Sequence, residues 1–443
     1  MTNFHDWYKF HMGFSPEFVR TVAGKIGVDS DSIVLDPFCG SGTTLVELLD
    51  IEPGIKRWGV EAHPFLAWIA FNKAILPKIV YFILRDDPNF LRDTELLGQE
   101  VFAYSQKVLS SLERKAIDRR ILKIPDLLIK GSISPSNWHL LRQLQRFIVA
   151  RTGSAYAQHN ILLMALIQVA TDVSNLRFAP EVTVCPKRAA LNETKSIPQL
   201  YKDRLSEIIY DLRSSYCFLS KNTGIIIGPH AFFNYCNRTG QEFFPINARN
   251  FADQRQENYQ ITHVITSPPY PNEKDYTRST RLESVLLGFI KDPQDLTRIK
   301  QNLIPSNTKF PSFCYSDYKL ASDPVRALAE QIEEKTKALG KTDGFSAKYP
   351  RTLLAYFGSM TKHLMTMRRA LVPGAKLAYL LGDQASYHGT PVRTAELLGE
   401  IADTYGYTVD GIDLYKDRVC KTKTNGEQRI PENILYLTYR GYL

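Results

Sequence analysis

The chain has 443 residues, 44% hydrophobic and 23% charged; this is too long for one simple core, so two or three domains or one large domain with insertions are expected, and the composition excludes disordered, collagen-like and coiled-coil chains. Its 55 lysines and arginines outnumber 46 acidic residues, giving a net charge of +9, an excess that suits a polyanionic partner without proving one. The six cysteines contain no C-x-x-C pair and the nine histidines, His5 and His11 included, form no zinc spacing, so a reducing, cytoplasmic location and no metal are expected.

The N-terminal MTNFHDWYKFHMGF lacks the apolar core of a signal peptide. From residue 32 the sequence reads SIVLDPFCGSGTTLVELLD: an apolar strand, an acidic turn, a loop of small residues and a helix. WGVEAHPFLAWIAFNKAIL then places Glu61 just beyond a second strand over 58–60, with a helical pattern after it. Strand, glycine loop, helix, strand and acidic residue form the first half of a doubly wound α/β sheet, whose ligand crevice lies at the strand ends.

Residues 77–245 read mainly as helices with charged faces, such as EVFAYSQKVLSSLERKAIDRRILK, with breaks near 125, 131–135 and 180–198. A helical insertion is expected there. Its longest apolar run, 161–169, is interrupted by Gln168 and is too short to span a bilayer, so no membrane association is expected. GIIIGPHAFFNYC, 224–236, reads as a strand returning to the sheet.

The sheet resumes at ITHVITSPPY, whose β-branched run 261–265 ends in a rigid Ser-Pro-Pro-Tyr loop. A second interruption, 291–348, begins with aromatic and polar loop character and ends in a helix that Asp323 is expected to cap, with Pro324 at its first position. Then follow an amphipathic helix over 353–371, a turn at VPGAK, a buried strand at LAYLLGD, a helix over 394–405, a strand over 409–414, a basic loop over 416–429 and a last strand over 433–439. The expected layout is the first half of the core in 1–76, the mainly helical insertion in 77–245, and the catalytic half in 246–443 with its own insertion at 291–348.

Two motifs carry chemistry. In the loop after Asp36, Gly40 and Gly42 let the backbone pass close to a ligand, Ser41, Thr43 and Thr44 supply hydroxyls, and the helix start presents free N–H groups. A nucleotide-like cofactor fits, with Glu61 placed to accept ribose hydroxyls; a plain strand-to-helix turn is the competing reading. A P-loop is excluded because no G-K-[ST] follows. In Thr266-Ser267-Pro268-Pro269-Tyr270 the two prolines fix φ twice and remove two donors, leaving an acceptor-rich corner of the Ser267 side chain and the Pro268 carbonyl beside the Tyr270 ring. Such a corner suits a planar group with an exocyclic NH₂, although a Pro-Pro-Tyr taken alone is more often a structural turn.

Together the two motifs resemble those of the S-adenosylmethionine-dependent DNA amino-methyltransferases: D-P-F-C-G-S-G-T-T-x-x-E is similar to that family's cofactor motif and T-S-P-P-Y to its catalytic motif. The serine form is commoner among N4-cytosine enzymes, and D-P-P-Y among N6-adenine enzymes. The resemblance implies a Rossmann-like, mostly parallel, seven-stranded sheet, with Phe14, Asp36, Phe38, Gly40, Ser41, Gly42, Thr43, Thr44 and Glu61 holding S-adenosylmethionine. It implies Ser267, Pro268, Pro269 and Tyr270 as catalytic residues acting on a flipped cytosine in double-stranded DNA. FHMGFSPEFVRTVAG is similar to the segment closing over the methionine end of the cofactor. Arg249 falls where the family has G-D-A-R, with Asn247 in place of the acid. A restriction-modification setting is implied, with a cognate endonuclease that acts on the same site without a stable complex.

For DNA contact, Lys274, Arg278 and Arg281 interleave with Tyr276 after the catalytic corner, and Arg418, Lys421 and Lys423 lie in the C-terminal basic stretch; each lysine taken singly is more often a solvated charge. Asp383 either faces the crevice or caps the next loop. Cys39 is not placed as a nucleophile, and no Pro-Cys motif for ring-carbon methylation is present. N6-adenine methylation is the alternative activity, and an RNA methyltransferase or an inactive DNA-binding homologue are the remaining readings.

Overall fold

The computed structural model describes residues 3–441 except 53–54, 115–122, 179–181, 217–218, 220–246, 250–259, 273–274, 311 and 423–425. In chain order the first half contains α1 (Pro16–Ile26), β1 (Ile33–Asp36), α2 (Thr43–Ile51), β2 (Lys56–Gly59), α3 (Pro64–Ala74), α4 (Leu76–Asp86), α5 (Phe90–Arg114), α6 (Pro135–Thr152), α7 (Tyr156–Asp172), β3 (Leu176–Arg177), β4 (Thr183–Val184), α8 (Pro186–Asn192) and α9 (Ile197–Ser214). The second half contains β5 (Ile261–Thr266), α10 (Tyr276–Ser279), α11 (Arg281–Leu286), α12 (Pro293–Asn302), α13 (Asp323–Ala338), α14 (Tyr349–Met367), β6 (Leu371–Gly382), β7 (Gln384–Tyr387), β8 (Thr390–Val392), α15 (Thr394–Thr404), β9 (Tyr407–Thr422) and β10 (Gly426–Tyr439). The chain divides into two compact units, one of Met1–Gly13, Trp68–Thr223 and Tyr276–Leu296, the other of Phe14–Ala67, Gly224–Asp275 and Thr297–Leu443.

The second of these is an α/β unit built on a sheet of order β2-β1-β5-β6-β10-β9. β2, β1, β5 and β6 run parallel, whereas β10 is antiparallel to both neighbours. Side chains alternate between two apolar clusters, as the period of two requires: Leu35, Val264, Leu377 and Leu435 enter one, Val34, Ile265, Ala378 and Ile434 the other. The first cluster is completed by α13, α14 and α15, the second by α1 and α2, so both faces are covered, as a doubly wound sheet demands. Strand order reverses at β1, with β2 on one side and β5 on the other. A ligand crevice belongs at that switch point.

The described residues contribute six strands to the sheet, and 224–236, read as a returning strand, lies outside them. Other expectations are corrected. Ser322, not Asp323, is the N-cap of α13, and Asp323 is its first helical residue. α14 begins at Tyr349 and ends at Met367, and VPGAK is the start of β6, not a turn. The basic stretch 416–429, read as a loop, is strand in its described part, 416–422 on β9 and 426–429 on β10, with pairing from Lys416↔Glu432 to Thr422↔Gly426. Apolar side chains here do not mark a buried face: Leu414 and Val419 are 62% and 55% exposed. Cross-strand charge takes over, with Lys416 3.1 Å from Glu432 opposite it.

The other unit is helical. Trp68 donates to Asn160 Oδ1 at 2.7 Å and Trp7 to Asp211 Oδ2 at 2.9 Å, both buried. Tyr8 donates to the buried Glu283 of α11 at 3.1 Å; burial pushes the Glu283 carboxyl up to about 7 and the Tyr8 phenol well above its usual range. No single helix among the described residues is long and apolar enough to cross a membrane, and the pair α3–α4 reaches that length only across a 45° bend.

Candidate active site

The site is built at the carboxyl ends of β1, β2, β5 and β6, all within the α/β unit. Asp36 closes β1 and is fully buried. Its carboxylate accepts from Thr44 Oγ1 and Thr266 Oγ1, each at 2.6 Å, and from the Phe38 N–H at 3.1 Å. These bonds tie the end of β1 to the start of α2 and the end of β5. Burial nevertheless raises the Asp36 carboxyl to about 6, against the pull of the three donors. Asp36 and Thr44 therefore brace the loop through each other.

The loop itself needs its glycines. Gly40 and Gly42 have φ of 52° and 87°, in the left-handed region that other residues enter at a cost. The Gly42 N–H turns back to the Cys39 carbonyl at 2.7 Å, and α2 starts at Thr43 with no side-chain cap, so its first N–H groups have no partner inside the helix. Ser41 and Thr43 are buried in this turn. Beyond β2, the partly buried Glu61 accepts from the Gly40 N–H at 2.8 Å and from the His63 N–H at 2.7 Å. Burial, with the charge of Asp36 adding, lifts its carboxyl to about 7. The Cys39 thiol is buried and pushed well above its usual range by desolvation, Asp36 and Glu61, the opposite of what activates a nucleophile.

On the other side of Asp36, β5 leads into Ser267, whose hydroxyl donates to the Leu380 carbonyl of β6 at 3.2 Å. With its hydrogen so engaged, Oγ is left with acceptor lone pairs. Pro268 is buried, and Ser267, Pro269 and Tyr270 are partly exposed. Tyr270 packs against Gly382 at the end of β6, where a Cβ would stand 2.5 Å from the ring carbons Cδ2 and Cε2. The Arg418 guanidinium lies over the ring, 5.1 Å from its centroid.

Other residues read from the sequence have definite places. Phe14 stacks edge-on against Phe18 at 5.2 Å, and Ser15 caps α1 while bonding the Tyr415 hydroxyl at 2.9 Å. Phe38 meets His363 edge-on at 4.9 Å. His363 lies between the Ala248 carbonyl and the Tyr379 hydroxyl, at 3.0 and 2.9 Å, and burial lowers it to about 4. It is neutral, with Nδ1 donating to the carbonyl and Nε2 accepting from Tyr379, the tautomer that satisfies both. Arg249 is a buried brace: it pairs with Asp317 at 2.7 Å, donates to the Gln301 carbonyl at 2.8 Å and is oriented by Asn247 Oδ1 at 3.1 Å. Asp383 caps α15 by accepting from the Thr394 N–H at 2.9 Å.

The basic residues differ among themselves. Arg278 and Arg281 belong to the helical unit and donate to backbone carbonyls, Arg278 to Val182 at 3.3 Å and Arg281 to Thr277 and Leu127 at 2.9 and 3.0 Å. Lys274 and Lys423 lie outside the described residues, and Lys421 is on β9, in register with Glu427. Among the described residues no group of three or more His, Cys, Asp or Glu could hold a metal ion.

With this geometry in place, the relatives sharpen it. The chain is similar to the type II methyltransferase M.AvaI of Nostoc sp. and of Anabaena variabilis, 24% identical over 432 residues that cover 92% of this chain and 79% of each relative. It is also similar to the type II methyltransferase M.BsoBI of Geobacillus stearothermophilus, 23% identical over 457 residues covering 96% of this chain and 82% of the relative. No family model matches the chain, and no solved structure does. The similarity covers more than nine-tenths of the chain and so runs through both units, helical and α/β alike.

Sequence reading missed three partnerships: Thr266 with Asp36, His363 with Phe38 and Tyr379, and Arg418 with Tyr270. Only the first had a local signal, since Thr266 directly precedes the Ser-Pro-Pro-Tyr corner; His363 and Tyr379 lie on different elements, α14 and β6, and Phe38–His363 and Arg418–Tyr270 join distant parts of the chain.

Proposed function

We propose that this protein is a site-specific DNA methyltransferase that transfers a methyl group from S-adenosylmethionine to the N4 amine of a flipped cytosine, in a restriction-modification setting. The observation that carries the chemistry is the acceptor corner at the ends of β5 and β6, where Ser267 Oγ has its hydrogen on the Leu380 carbonyl and the Tyr270 ring stands beside it. The similarity to type II methyltransferases over more than nine-tenths of the chain supports the class of reaction.

The residues around Asp36 fit an adenosyl group by their chemistry: a half-buried carboxylate beyond β2, a two-glycine loop and an uncapped helix start. Glu61 would accept the ribose hydroxyls, with Phe14 and Phe38 beside the cofactor. When bound, S-adenosylmethionine supplies an already activated methyl on its sulfonium. Ser267 Oγ and the Pro268 carbonyl then accept the two amine hydrogens of the base, which turns the nitrogen lone pair out of conjugation. Tyr270 fixes the plane of the ring by stacking. The effect is orientation more than acid–base work, and the proton leaves after transfer without a strong base. Adenine presents the same NH₂ to the same two acceptors, so N6-adenine methylation is the second reading.

Incubating the protein with duplex DNA and methyl-labelled S-adenosylmethionine tests the assignment. Label should enter the DNA with the wild-type chain and far more slowly with Ser267→Ala and Tyr270→Ala, while both variants still bind the cofactor. Either variant working at the wild-type rate would remove the corner from the mechanism.

A further inference from the structure

We infer that Arg418 is a positioning residue for Tyr270, holding the aromatic platform that receives the target base. The inference rests on the reading of Tyr270 as that platform. The Arg418 guanidinium lies 5.1 Å from the ring centroid, within the range at which a cation is attracted to a π face. It is held in place from behind: Nη2 donates to the Asp383 carbonyl at 2.7 Å, and Nε is 3.4 Å from the carboxylate of Glu432, a buried residue directly across the hairpin from Lys416. The side chain is only 21% exposed. The hydrogen bond to the carbonyl and the ion pair with the carboxylate hold the guanidinium beside the ring.

Gly382 makes the approach feasible. A Cβ there would stand 2.5 Å from Tyr270 and 2.6 Å from Arg418 Nη2, so the same bare backbone admits both groups. The Tyr270 ring is thereby held against a fixed cation. Since Arg418 is on β9 and Glu432 on β10, the root of the basic hairpin is linked to the catalytic ring. The residue thus acts on the ring, not on a phosphate.

The test combines two readouts on Arg418→Lys and Arg418→Ala. In the free protein labelled with 3-fluorotyrosine, the ¹⁹F line assigned to Tyr270 by its loss in Tyr270→Phe should shift in both variants. With duplex DNA, kcat should fall about tenfold in Arg418→Lys and further in Arg418→Ala, with the DNA Kd and its salt dependence unchanged, and the double variant with Tyr270→Ala should be no slower than Tyr270→Ala alone. Calorimetric binding of S-adenosylmethionine verifies that each variant is folded. An unmoved Tyr270 line, losses that multiply in full with Tyr270→Ala, or weaker DNA binding with a shallower salt slope would overturn the inference, the last by making Arg418 a phosphate contact. A faster Arg418→Ala enzyme would also overturn it, since the base would then have to displace the arginine. Wild-type protein that methylates no DNA would instead overturn the functional reading, and the ¹⁹F line would still decide whether Arg418 holds the ring.

Discussion

Asp36 and Glu61 are two buried or half-buried carboxyls whose environments set different tasks. The Asp36 oxygens are occupied by Thr44, Thr266 and the Phe38 amide, and its pKa of about 6 lies above its ordinary value. The native state thus holds this proton more tightly than the unfolded chain, so the group's contribution to stability declines as pH rises from about 4 to about 6 and is level above. Thr266→Val removes a donor that favours the charged form. It should lower stability by about 1–3 kcal/mol, with the larger loss at pH 8 and the smaller at pH 5, as read by urea unfolding at the two pH values. Equal losses at both would mean that Thr266 does not serve the carboxylate. Glu61 titrates near 7, and in its protonated form it offers a poorer acceptor to two ribose hydroxyls. S-Adenosylmethionine should therefore bind more weakly as pH falls from 8 to 6 in calorimetry, and Glu61→Gln should bind weakly with that dependence flattened.

At the scale of elements, the first strand–loop–helix unit was readable because its requirements are local. Gly40 and Gly42 stand where the backbone turns left-handed, and an acidic residue ends β1 within the same ten residues. Replacing Gly42, at φ 87°, by alanine should cost about 1–2 kcal/mol, seen as a lower melting temperature. Gly382→Ala should differ: its Cβ would push on Tyr270 and Arg418, so methyl transfer should fall more than cofactor binding does. Retained activity in that variant would show that the ring can be moved without consequence. The hairpin β9–β10 was not readable as strands beyond about residue 414. Its outer part has no apolar face to mark the period, and its pairing rests on partners contributed across the turn, such as Lys416 with Glu432. The position of Arg278 and Arg281 beside the corner suggests DNA contact, and nothing local reveals their carbonyl partners, Val182 and Leu127 respectively.

At the scale of the molecule, length and charge now have a place. The α/β unit holds the glycine loop after β1 and the Ser267–Tyr270 corner, and the helical unit draws on three stretches of chain, Met1–Gly13, Trp68–Thr223 and Tyr276–Leu296. That assembly of one unit from separated stretches is invisible to a reading along the chain, which divides it at composition changes. The excess of nine positive charges suits a polyanion, and binding to duplex DNA should weaken steeply with salt as counterions are released. The central claim is narrower: the corner of Ser267, Pro268 and Tyr270 methylates an exocyclic amine, that of cytosine. Mass spectrometry of nucleosides from DNA treated with the protein and S-adenosylmethionine tests it most directly. N4-methylcytosine is the predicted product; N6-methyladenine, or unmodified nucleosides from a protein that binds both DNA and cofactor, would contradict it.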